Sequence, residues 1–454
     1  MYNLNIPFNF RKVLEEPESE ETRELLKREG IVRHSYTTSG GHTYRIYKYD
    51  RKKLEGELYS TRGMFRSVVT SGDRLVCFSP PKSIGWEEAY DEMERDEVTI
   101  NEFVEGVMVN VFYDEMAEGG TEGDGSKGGY VYCTKSSIYG KGTFFDNGIY
   151  PVRTFGELFL EVCESVGLKL DSLDKTLCYS FVMQHPSYRI VKPISKASLT
   201  LVAMYKVDTE KLCVCNVRTS DYIEELGAGV RLPTKYTLED ELTYDTVYRM
   251  VCELSSNGGY GKLSQGLMLT YYNQDGECKR TKVRDTRHQQ IHQLRGNEPK
   301  LEYHYLILRG QNRVKEYLEY YPEHRAKFME YRKKVTDFTM RLHQLYRDIF
   351  ILKKGEGVSG GGKLLGGAPY QYRTRLYDLH SHYINVLRPK GEGVTFEHVK
   401  NYVNGMIPAK LMFSLNYDRR NSKGECKTST CTSNGDGGEQ QAAEGIGISE
   451  SSTE

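Results

Sequence analysis

Residues 101–114 read NEFVEGVMVNVFYD, and this stretch bears most directly on the fold. The part from Val107 to Asp114 is rich in β-branched and aromatic residues, which favour a strand, and Gly106 separates it from the residues before it. Comparable segments recur as far as residue 273, many of them separated by short turns such as Ser71-Gly72-Asp73. Strands joined by short turns are antiparallel neighbours, so the sequence predicts a largely antiparallel sheet. The predicted strands are 42–50, 64–70, 74–80, 107–114, 129–135, 177–184, 199–208, 212–219 and 266–273.

Helical segments interrupt these strands and then follow them. A polar opening from Glu15 to Arg28 is predicted as a helix that ends near Gly30. After about residue 310, apolar side chains recur every three or four positions, which indicates a long helix that starts beside Pro322. Its apolar stripe consists of Phe328, Tyr331, Val335, Phe338, Leu342, Leu345, Ile349 and Leu352. The other predicted helices are 154–166, 238–255, 372–387 and 395–404.

The order of these elements predicts an α+β protein in which an antiparallel-sheet domain precedes a smaller all-helical C-terminal domain. The predicted divisions are an N-terminal helical segment at 1–40, the sheet domain at 41–300, the helical domain at 301–420 and a disordered tail at 421–454. Two glycine-rich stretches, 114–129 and 355–367, are predicted as a surface excursion and a hinge, because such sequences bury too little to offset the entropy of ordering.

Composition narrows the class of protein. The 454 residues include 62 Lys and Arg against 63 Asp and Glu, which excludes a uniformly basic nucleic-acid coat protein. No apolar run approaches the roughly 18 to 20 residues that cross a bilayer, and the N-terminus does not resemble a signal peptide. We therefore expect an intracellular, cytoplasmic protein with no membrane partner. The ten scattered Cys residues lack a four-ligand spacing, so we expect no zinc site.

The near-neutral total conceals an uneven distribution of charge. Residues 84–125 carry fourteen acidic side chains and one basic side chain, whereas residues 279–375 carry twenty-two basic and ten acidic ones. A local excess of positive charge is the electrostatic feature that nucleic-acid binding requires, so near-neutrality does not exclude a nucleic-acid partner.

Several short motifs follow one another in a specific order. Thr61-Arg62-Gly63 and Pro80-Pro81-Lys82 precede the NEFVEG stretch. Thr134-Lys135-Ser136-Ser137 comes next, followed by Tyr179-Ser180-Phe181. The later motifs are Pro186-Ser187-Tyr188-Arg189-Ile190-Val191, Gln265-Gly266-Leu267-Met268 and Lys279-Arg280-Thr281-Lys282.

This succession resembles the covalent nucleotidyltransferase superfamily, and most closely the single-strand RNA ligases of the bacteriophage tRNA-repair type, with relatives in large DNA viruses. That family has an RG strand, a PxxK element, a KxDG nucleophile motif, a T-K/R-G-S strand, an FE…PxNRIV strand, an EG strand and a KxK strand. The resemblance covers residues 55–295, and residues 310–420 look like the helical C-terminal domain of the viral relatives. It implies that the 41–300 domain is a nucleotidyltransferase domain and, if the chain is viral, that it acts in the host cytoplasm.

The resemblance also implies a chemistry. A lysine amine attacks the α-phosphate of ATP, AMP passes to an RNA 5′-phosphate, and a 3′-hydroxyl then seals the strand. The implied cofactors are ATP and Mg²⁺, and the implied partner is single-stranded RNA or tRNA ends. The implied nucleotide-binding residues are Arg62, Phe103, Glu105, Gly106, Phe181, Arg189, Gln265, Gly266, Lys279, Arg280 and Lys282.

The motifs depart from the family pattern where the chemistry is most demanding. Phe103 occupies the position of the nucleophilic lysine, and a phenylalanine cannot form a bond to AMP. Glu105 and Gln265 occupy the metal-binding positions, but Gln265 supplies an oxygen without a charge. The basic pair reads either as Arg280 with Lys282 or as Lys279 with Lys282.

Three functions remain open from the sequence. The chain is an ATP-dependent RNA ligase with a substitute nucleophile, a pseudo-ligase that binds RNA or a nucleotide without turnover, or a scaffold that retains only the fold. Lys135 and Lys82 are the candidate catalytic substitutes, although each could instead contact phosphate. Phe103 could simply be a core residue, and the 279–287 run could be a solvated strand face.

Overall fold

The computed structural model describes residues 1–54, 61–93, 97–118, 127–143, 151–224, 226–227, 229–256, 263–274, 276–353 and 368–418. The chain divides into two units: unit 1 comprises Met1–Phe144 and Val152–Arg295, and unit 2 comprises Phe145–Pro151 and Gly296–Glu454. The predicted tail at 421–454 and hinge at 355–367 lie outside the described residues, as does part of the 114–129 stretch.

Unit 1 contains all of the described strands. They are β1 (Tyr2–Asn3), β2 (Ile31–Thr37), β3 (Thr43–Tyr49), β4 (Val68–Ser71), β5 (Arg74–Cys77), β6 (Thr99–Glu102), β7 (Val107–Glu118), β8 (Lys127–Cys133), β9 (Leu177–Gln184), β10 (Ser198–Asp208), β11 (Cys213–Val217), β12 (Val230–Arg231), β13 (Lys235–Tyr236), β14 (Gly266–Tyr272) and β15 (Cys278–Arg284). Its α-helices are α1 (Phe10–Glu15), α2 (Glu20–Arg28), α3 (Trp86–Glu92), α4 (Phe155–Val166), α5 (Tyr244–Ser256) and α6 (Thr286–Arg295).

The strands form three sheets. The largest has the order β1-β11-β10-β9-β7-β8, with β12 added beside β10, and the other two are β13-β6-β14-β15 and β2-β3-β4-β5. Apart from the parallel β10–β12 pair, the paired strands run antiparallel. The predicted α+β class with antiparallel sheets is therefore confirmed.

Three apolar clusters hold unit 1 together. One lies between the β2–β5 sheet and one face of the largest sheet and includes Phe10, Phe65 and Tyr47. A second packs α4 against the other face of the largest sheet. The third packs α3 and α5 against one face of the β13-β6-β14-β15 sheet. Each helix buries an apolar stripe on a sheet, which is how amphipathic elements remove apolar surface from water.

The first forty residues differ from the predicted helical segment. Residues 31–37 form β2, which pairs with β3, and β1 pairs with β11 in the largest sheet. The β2 side chains are mostly exposed or partly exposed because the strand lies at a sheet edge, so no apolar alternation marks it in the sequence. Of the helix predicted from Glu15 to Arg28, residues Glu20–Arg28 form α2, which the Ser19 side chain caps by accepting from the Thr22 N–H, whereas α1 lies before it and ends at Glu15.

The described part of unit 2 is helical, which confirms the predicted helical C-terminal region. Its α-helices are α7 (Leu301–Gly310), α8 (Val314–Tyr320), α9 (Arg325–Tyr346), α10 (Tyr370–His382), α11 (Phe396–Asn404) and α12 (Pro408–Leu415). The long helix buries most of the predicted stripe, including Phe328, Phe338 and Leu342. None of the helices that the structure describes combines the length and the apolar character needed to cross a membrane.

Candidate nucleotide and RNA-end site

The β13-β6-β14-β15 sheet has one apolar face and one basic face. Thr281 and Val283 on β15 are buried toward α3 and α5, together with Leu267 and Leu269 on β14. The alternate residues of β15 point to the opposite face because side chains alternate along a strand. These residues are Arg280, Lys282 and Arg284. Alternation therefore gathers three cations of one strand on one side of the sheet.

The Pro80-Pro81-Lys82 element is fixed against this basic face. The Lys82 N–H donates to the Gly63 carbonyl at 2.9 Å, and the Arg280 guanidinium donates to the Pro81 carbonyl. Ile84 also bonds to β15, since its N–H donates to the Arg280 carbonyl at 2.9 Å. These bonds hold Lys82 between the RG motif and the basic strand.

Lys135 reaches the same region from the turn after β8. A bond of 2.9 Å from the Thr134 N–H to the Ser137 carbonyl closes this turn, and the Lys48 amine donates to the Ser136 hydroxyl at 2.8 Å. The Lys135 amine lies 4.5 Å from the centre of the Tyr49 ring. This cation–π contact and the Lys48 bond attach the turn to β3.

We define the cation cluster as eight basic side chains of unit 1: the lysines Lys82, Lys135 and Lys282, whose pKa values are lowered, and the basic residues whose positive charges act on them. Its members are Lys48, Arg51, Arg66, Lys82, Lys135, Arg280, Lys282 and Arg284. They come from five separate segments of the chain. The carboxylate of Glu88 has an opposing effect on Lys82. A concentration of like charge of this kind is a binding site for anions such as phosphates.

The cluster changes the acidity of its own lysines. Burial, followed by the charges of Arg284, Lys82, Arg66 and Arg280, lowers the pKa of Lys282 to about 6. Burial has the largest effect on the pKa of Lys82 and lowers it. The positive charges of neighbouring residues, above all Arg51, lower this pKa further, to about 8.

Lys135 follows the same pattern. Desolvation of its amine and the charges of Arg66, Lys48, Arg51 and Lys82 lower its pKa to about 8, although the residue as a whole is exposed. A lysine acts as a nucleophile only when neutral, so a lowered pKa favours covalent chemistry, whereas the fraction of the amine that stays protonated can bind anions.

Phe103 lies at the edge of the cation cluster rather than in the core. Its N–H donates to the Gly266 carbonyl at 3.0 Å, and Gly266 is the register partner of Arg284. The Arg284 guanidinium carbon is 5.9 Å from the centre of the Phe103 ring, which is only partly buried. The neighbouring Val104 is buried, at 7% exposure. The position expected to carry the nucleophile is thus beside the cations but carries an aromatic ring.

Two glycines are required where these strands approach one another. Gly266 has φ +135°, and a Cβ built on it would lie 2.1 Å from the Val283 carbonyl oxygen. Gly106 has φ +157°, and its Cβ would lie 2.5 Å from the Met183 carbonyl oxygen. Only glycine fits such close backbone approaches. The Gly of the VEG motif and the Gly of the QG motif therefore set the spacing of the sheet strands.

Glu105 is buried and fully engaged. Its carboxylate accepts from the Val191 N–H at 2.9 Å and the Lys192 N–H at 3.1 Å, and it also pairs with the His288 imidazole. The Gln184 side chain donates to its backbone carbonyl at 2.7 Å. The carboxylate thus links the β6–β7 connection to the PSYRIV segment and to α6.

These contacts bear on the predicted metal site. Glu105 would have to release its backbone donors or His288 before it could bind Mg²⁺, and Gln265 carries no charge, so the donor set as it stands does not fit the ion. Among the residues that the structure describes, no group of three or more His, Cys, Asp or Glu side chains is arranged to hold a metal ion.

Four other predicted site residues lie apart from the cation cluster or are engaged elsewhere. Phe181 is fully buried in the cluster that packs against α4, and its neighbour Ser180 points to the opposite face. Arg62 is ion-paired with Glu29. The Arg189 side chain donates to the Val191 carbonyl at 3.0 Å. Lys279 lies on the face of β15 opposite Lys282, so alternation distinguishes the two readings of the basic pair and groups Arg280 with Lys282.

Comparison with known proteins adds independent information. No protein-family model matches the chain. The RNA ligase of Rhodothermus phage RM378 is 24% identical over 245 residues. The chain is similar to a phage RNA ligase. The match covers 46% of this chain and 52% of the phage protein, so the chain spans about half the length of that relative. This similarity supports the ligase-like relationship that the motif order indicates.

The ligase-like motifs do not reveal every member of the site. Lys48, Arg51 and Arg66 belong to the cation cluster, yet the sequence shows no motif at these positions. Arg284 could have been found by extending the alternation of Arg280 and Lys282 by one step along β15. The pairing of His288 with Glu105 spans 183 residues, and local sequence patterns do not report contacts of that range.

Proposed function

We propose that this chain is an RNA ligase-like protein that joins or repairs RNA ends by ATP-dependent adenylyl transfer, using a nucleophile other than position 103. Its partners are ATP or AMP and single-stranded RNA or tRNA ends. If the chain is viral, it acts in the cytoplasm of the host. The similarity to a phage RNA ligase supports the ligase class.

The observation that carries this proposal is the cation cluster. Its eight basic side chains come from five segments of the chain, and all four of its lysines have lowered pKa values. Bringing so many like charges together is unfavourable unless an anion binds among them. The triphosphate of ATP and the 5′-phosphate of RNA are anions of the required kind.

Mg²⁺ is proposed only as the partner that accompanies the triphosphate of ATP. When bound, it would neutralise charge on the phosphates. The carboxylate of Glu105 is engaged with protein donors, so we assign it the structural role of joining segments of unit 1.

The second candidate is a pseudo-ligase that binds RNA or a nucleotide without turnover. Phe103 at the nucleophile position and the uncharged Gln265 favour this candidate. It uses the same cation cluster for phosphate contacts but forms no covalent bond to AMP. Its RNA affinity should fall steeply with salt, as phosphate contacts require.

Two assays separate these candidates. The protein is incubated with α-labelled ATP and Mg²⁺ and run on a denaturing gel, and in parallel it is given pre-adenylylated RNA with an acceptor 3′-hydroxyl. A ligase-like enzyme is expected to become labelled or to join the pre-adenylylated strand. Retention of RNA binding without either reaction would identify the pseudo-ligase, and loss of all three properties would contradict both proposals.

A further inference from the structure

Resting on the proposed function, we propose that Lys282 is the nucleophile that receives AMP in place of a lysine at position 103. Lys82 and Lys135 then contact phosphate without forming a covalent bond. The assignment depends on where β15 places the Lys282 side chain and on what surrounds it.

The strand register brings Lys282 to the region of position 103. Lys282 is the partner of Met268 on β14, and Met268 is the partner of Asn101 on β6. Directly paired residues share one face of a sheet, so Asn101, Met268 and Lys282 lie on the basic face. Phe103 follows Asn101 by two residues and contacts Arg284, which follows Lys282 by two residues. Lys282 therefore lies on the same face of the sheet as position 103, two strands away from it.

The surroundings of Lys282 favour a neutral amine. The side chain is partly buried, and no hydrogen bond or ion pair of Lys282 occurs in the part of the chain that the structure describes. Arg280 and Arg284 act on it from its own strand, Lys82 from the Pro-Pro-Lys element, and Arg66 from the segment before β4. Together with burial, these charges place its pKa at about 6, below those of Lys82 and Lys135.

The other two lysines suit phosphate binding better. Lys135 is exposed and lies over the Tyr49 ring, an arrangement that favours the charged amine. Lys82 donates to the Ser83 carbonyl at 3.5 Å. Each has a pKa of about 8, so most of each amine remains protonated at neutral pH and can bind an anionic oxygen.

The covalent step requires ATP as its only co-reactant. The lone pair of neutral Lys282 Nζ attacks the α-phosphorus of ATP, and a P–N bond forms. The bond from the α-phosphorus to the oxygen that bridges to the β-phosphate breaks, and pyrophosphate leaves with the electron pair. The surplus proton of the nitrogen passes to water. The flanking arginines stabilise the charge that develops on the phosphates.

The test is to map the site of AMP attachment in the full chain. Wild-type protein labelled with ATP is digested, and the AMP-bearing peptide is sequenced by mass spectrometry; Lys282→Arg is labelled in parallel. The modified residue is expected to be Lys282. The labelling rate of Lys282→Arg is expected to be at least 100-fold lower than that of the wild type, because arginine keeps the charge but is not a nucleophile. Lys279→Arg, on the other face of the same strand, is the control expected to label normally.

The pH profile gives a second readout that a merely structural role for Lys282 would not produce. The amine must be neutral, so the labelling rate at limiting ATP should rise with pH and level off above the nucleophile's pKa. Lys282 predicts a rise centred near pH 6, whereas Lys82 or Lys135 predicts a rise centred near pH 8.

The outcomes separate this inference from the proposed function. AMP on Lys82, Lys135 or another residue, or unchanged labelling of Lys282→Arg, overturns the assignment and leaves the ligase-like function standing. Joining of pre-adenylylated RNA by the wild type without any labelling also overturns the assignment. Absence of both labelling and joining overturns the ligase-like function itself. Folded Lys282→Arg that still joins pre-adenylylated RNA but no longer becomes labelled supports the assignment.

Discussion

At the scale of single residues, Glu105 shows how a motif carboxylate can serve the fold. It accepts from the backbone N–H groups of Val191 and Lys192 and pairs with His288, and all of these groups are buried or partly buried. Removal of one partner from a buried polar network costs more than the network contributes, because the groups left behind lose their solvation without compensation.

Glu105→Ala should therefore lower the free energy of unfolding by about 3–5 kcal/mol, since it leaves the two N–H groups and His288 without an acceptor. Glu105→Gln keeps one acceptor oxygen and should cost less. Urea unfolding followed by far-UV circular dichroism measures both changes.

The matched control is Glu21→Ala, which removes an exposed ion pair with Lys12. Exposed pairs contribute at most about 1 kcal/mol, so this variant should unfold close to the wild type. Equal effects of the two alanine variants would contradict the anchoring role of Glu105.

At the scale of elements, the arrangement of β6, β14 and β15 decides what position 103 can do. The β6 strand ends at Glu102, and the next N–H bonds to Gly266, so position 103 stays within the sheet and beside the basic strand. A lysine placed there would join the cations that already lower the pKa of Lys282. Position 103 therefore has a cationic environment although its own side chain is unreactive.

The double variant Phe103→Lys with Gln265→Glu should therefore acquire AMP labelling at position 103. The experiment is done in the Lys282→Arg background, so that any label reports the new amine, and the labelled peptide is identified by mass spectrometry. Phe103→Leu with Gln265→Glu in the same background serves as the control and should stay unlabelled. No label at position 103 in a folded variant would contradict the motif alignment.

At the scale of the whole molecule, charge is distributed unevenly along a nearly neutral chain. The acidic stretch at 84–125 includes Glu105, whose charge faces His288 and backbone donors instead of the cation cluster. The charges that act most strongly on Lys282 are all positive and come from Arg284, Lys82, Arg66 and Arg280. Net charge therefore underestimates the local positive potential of the cation cluster.

Single-stranded RNA binding should weaken steeply as salt rises, because binding of phosphates to basic side chains releases counterions. Replacing Arg66 and Arg284 with Gln should reduce the slope of log affinity against log salt by about 0.7 for each RNA phosphate that the variant no longer neutralises. Fluorescence anisotropy across a salt series measures this slope. Arg153→Gln, which removes an exposed partner of Glu161, is the control. An unchanged slope in the double variant would place the RNA elsewhere.

The sequence by itself determined nine of the fifteen described strands of unit 1, the helical C-terminal region and the order of the ligase-like motifs. Alternation and helical periodicity are local properties of the chain, so they can be recognised in the sequence without knowledge of the fold. The edge strand β2 was not predicted because its exposed side chains show no apolar alternation. The same local information placed Arg280 and Lys282 on one strand.

Only the tertiary structure decided which motif residues meet. Alternation shows which side chains share a face of one strand, but not which strands become neighbours or which face a helix covers. The packing of α4 buried Phe181 on the far side of the largest sheet, and the pairing of Glu105 with His288 occupied a carboxylate that the motif assigned to metal. Contacts between distant segments also brought Arg66 close enough to act on Lys82, Lys135 and Lys282, and burial together with such charges makes these lysines a candidate site for phosphate chemistry.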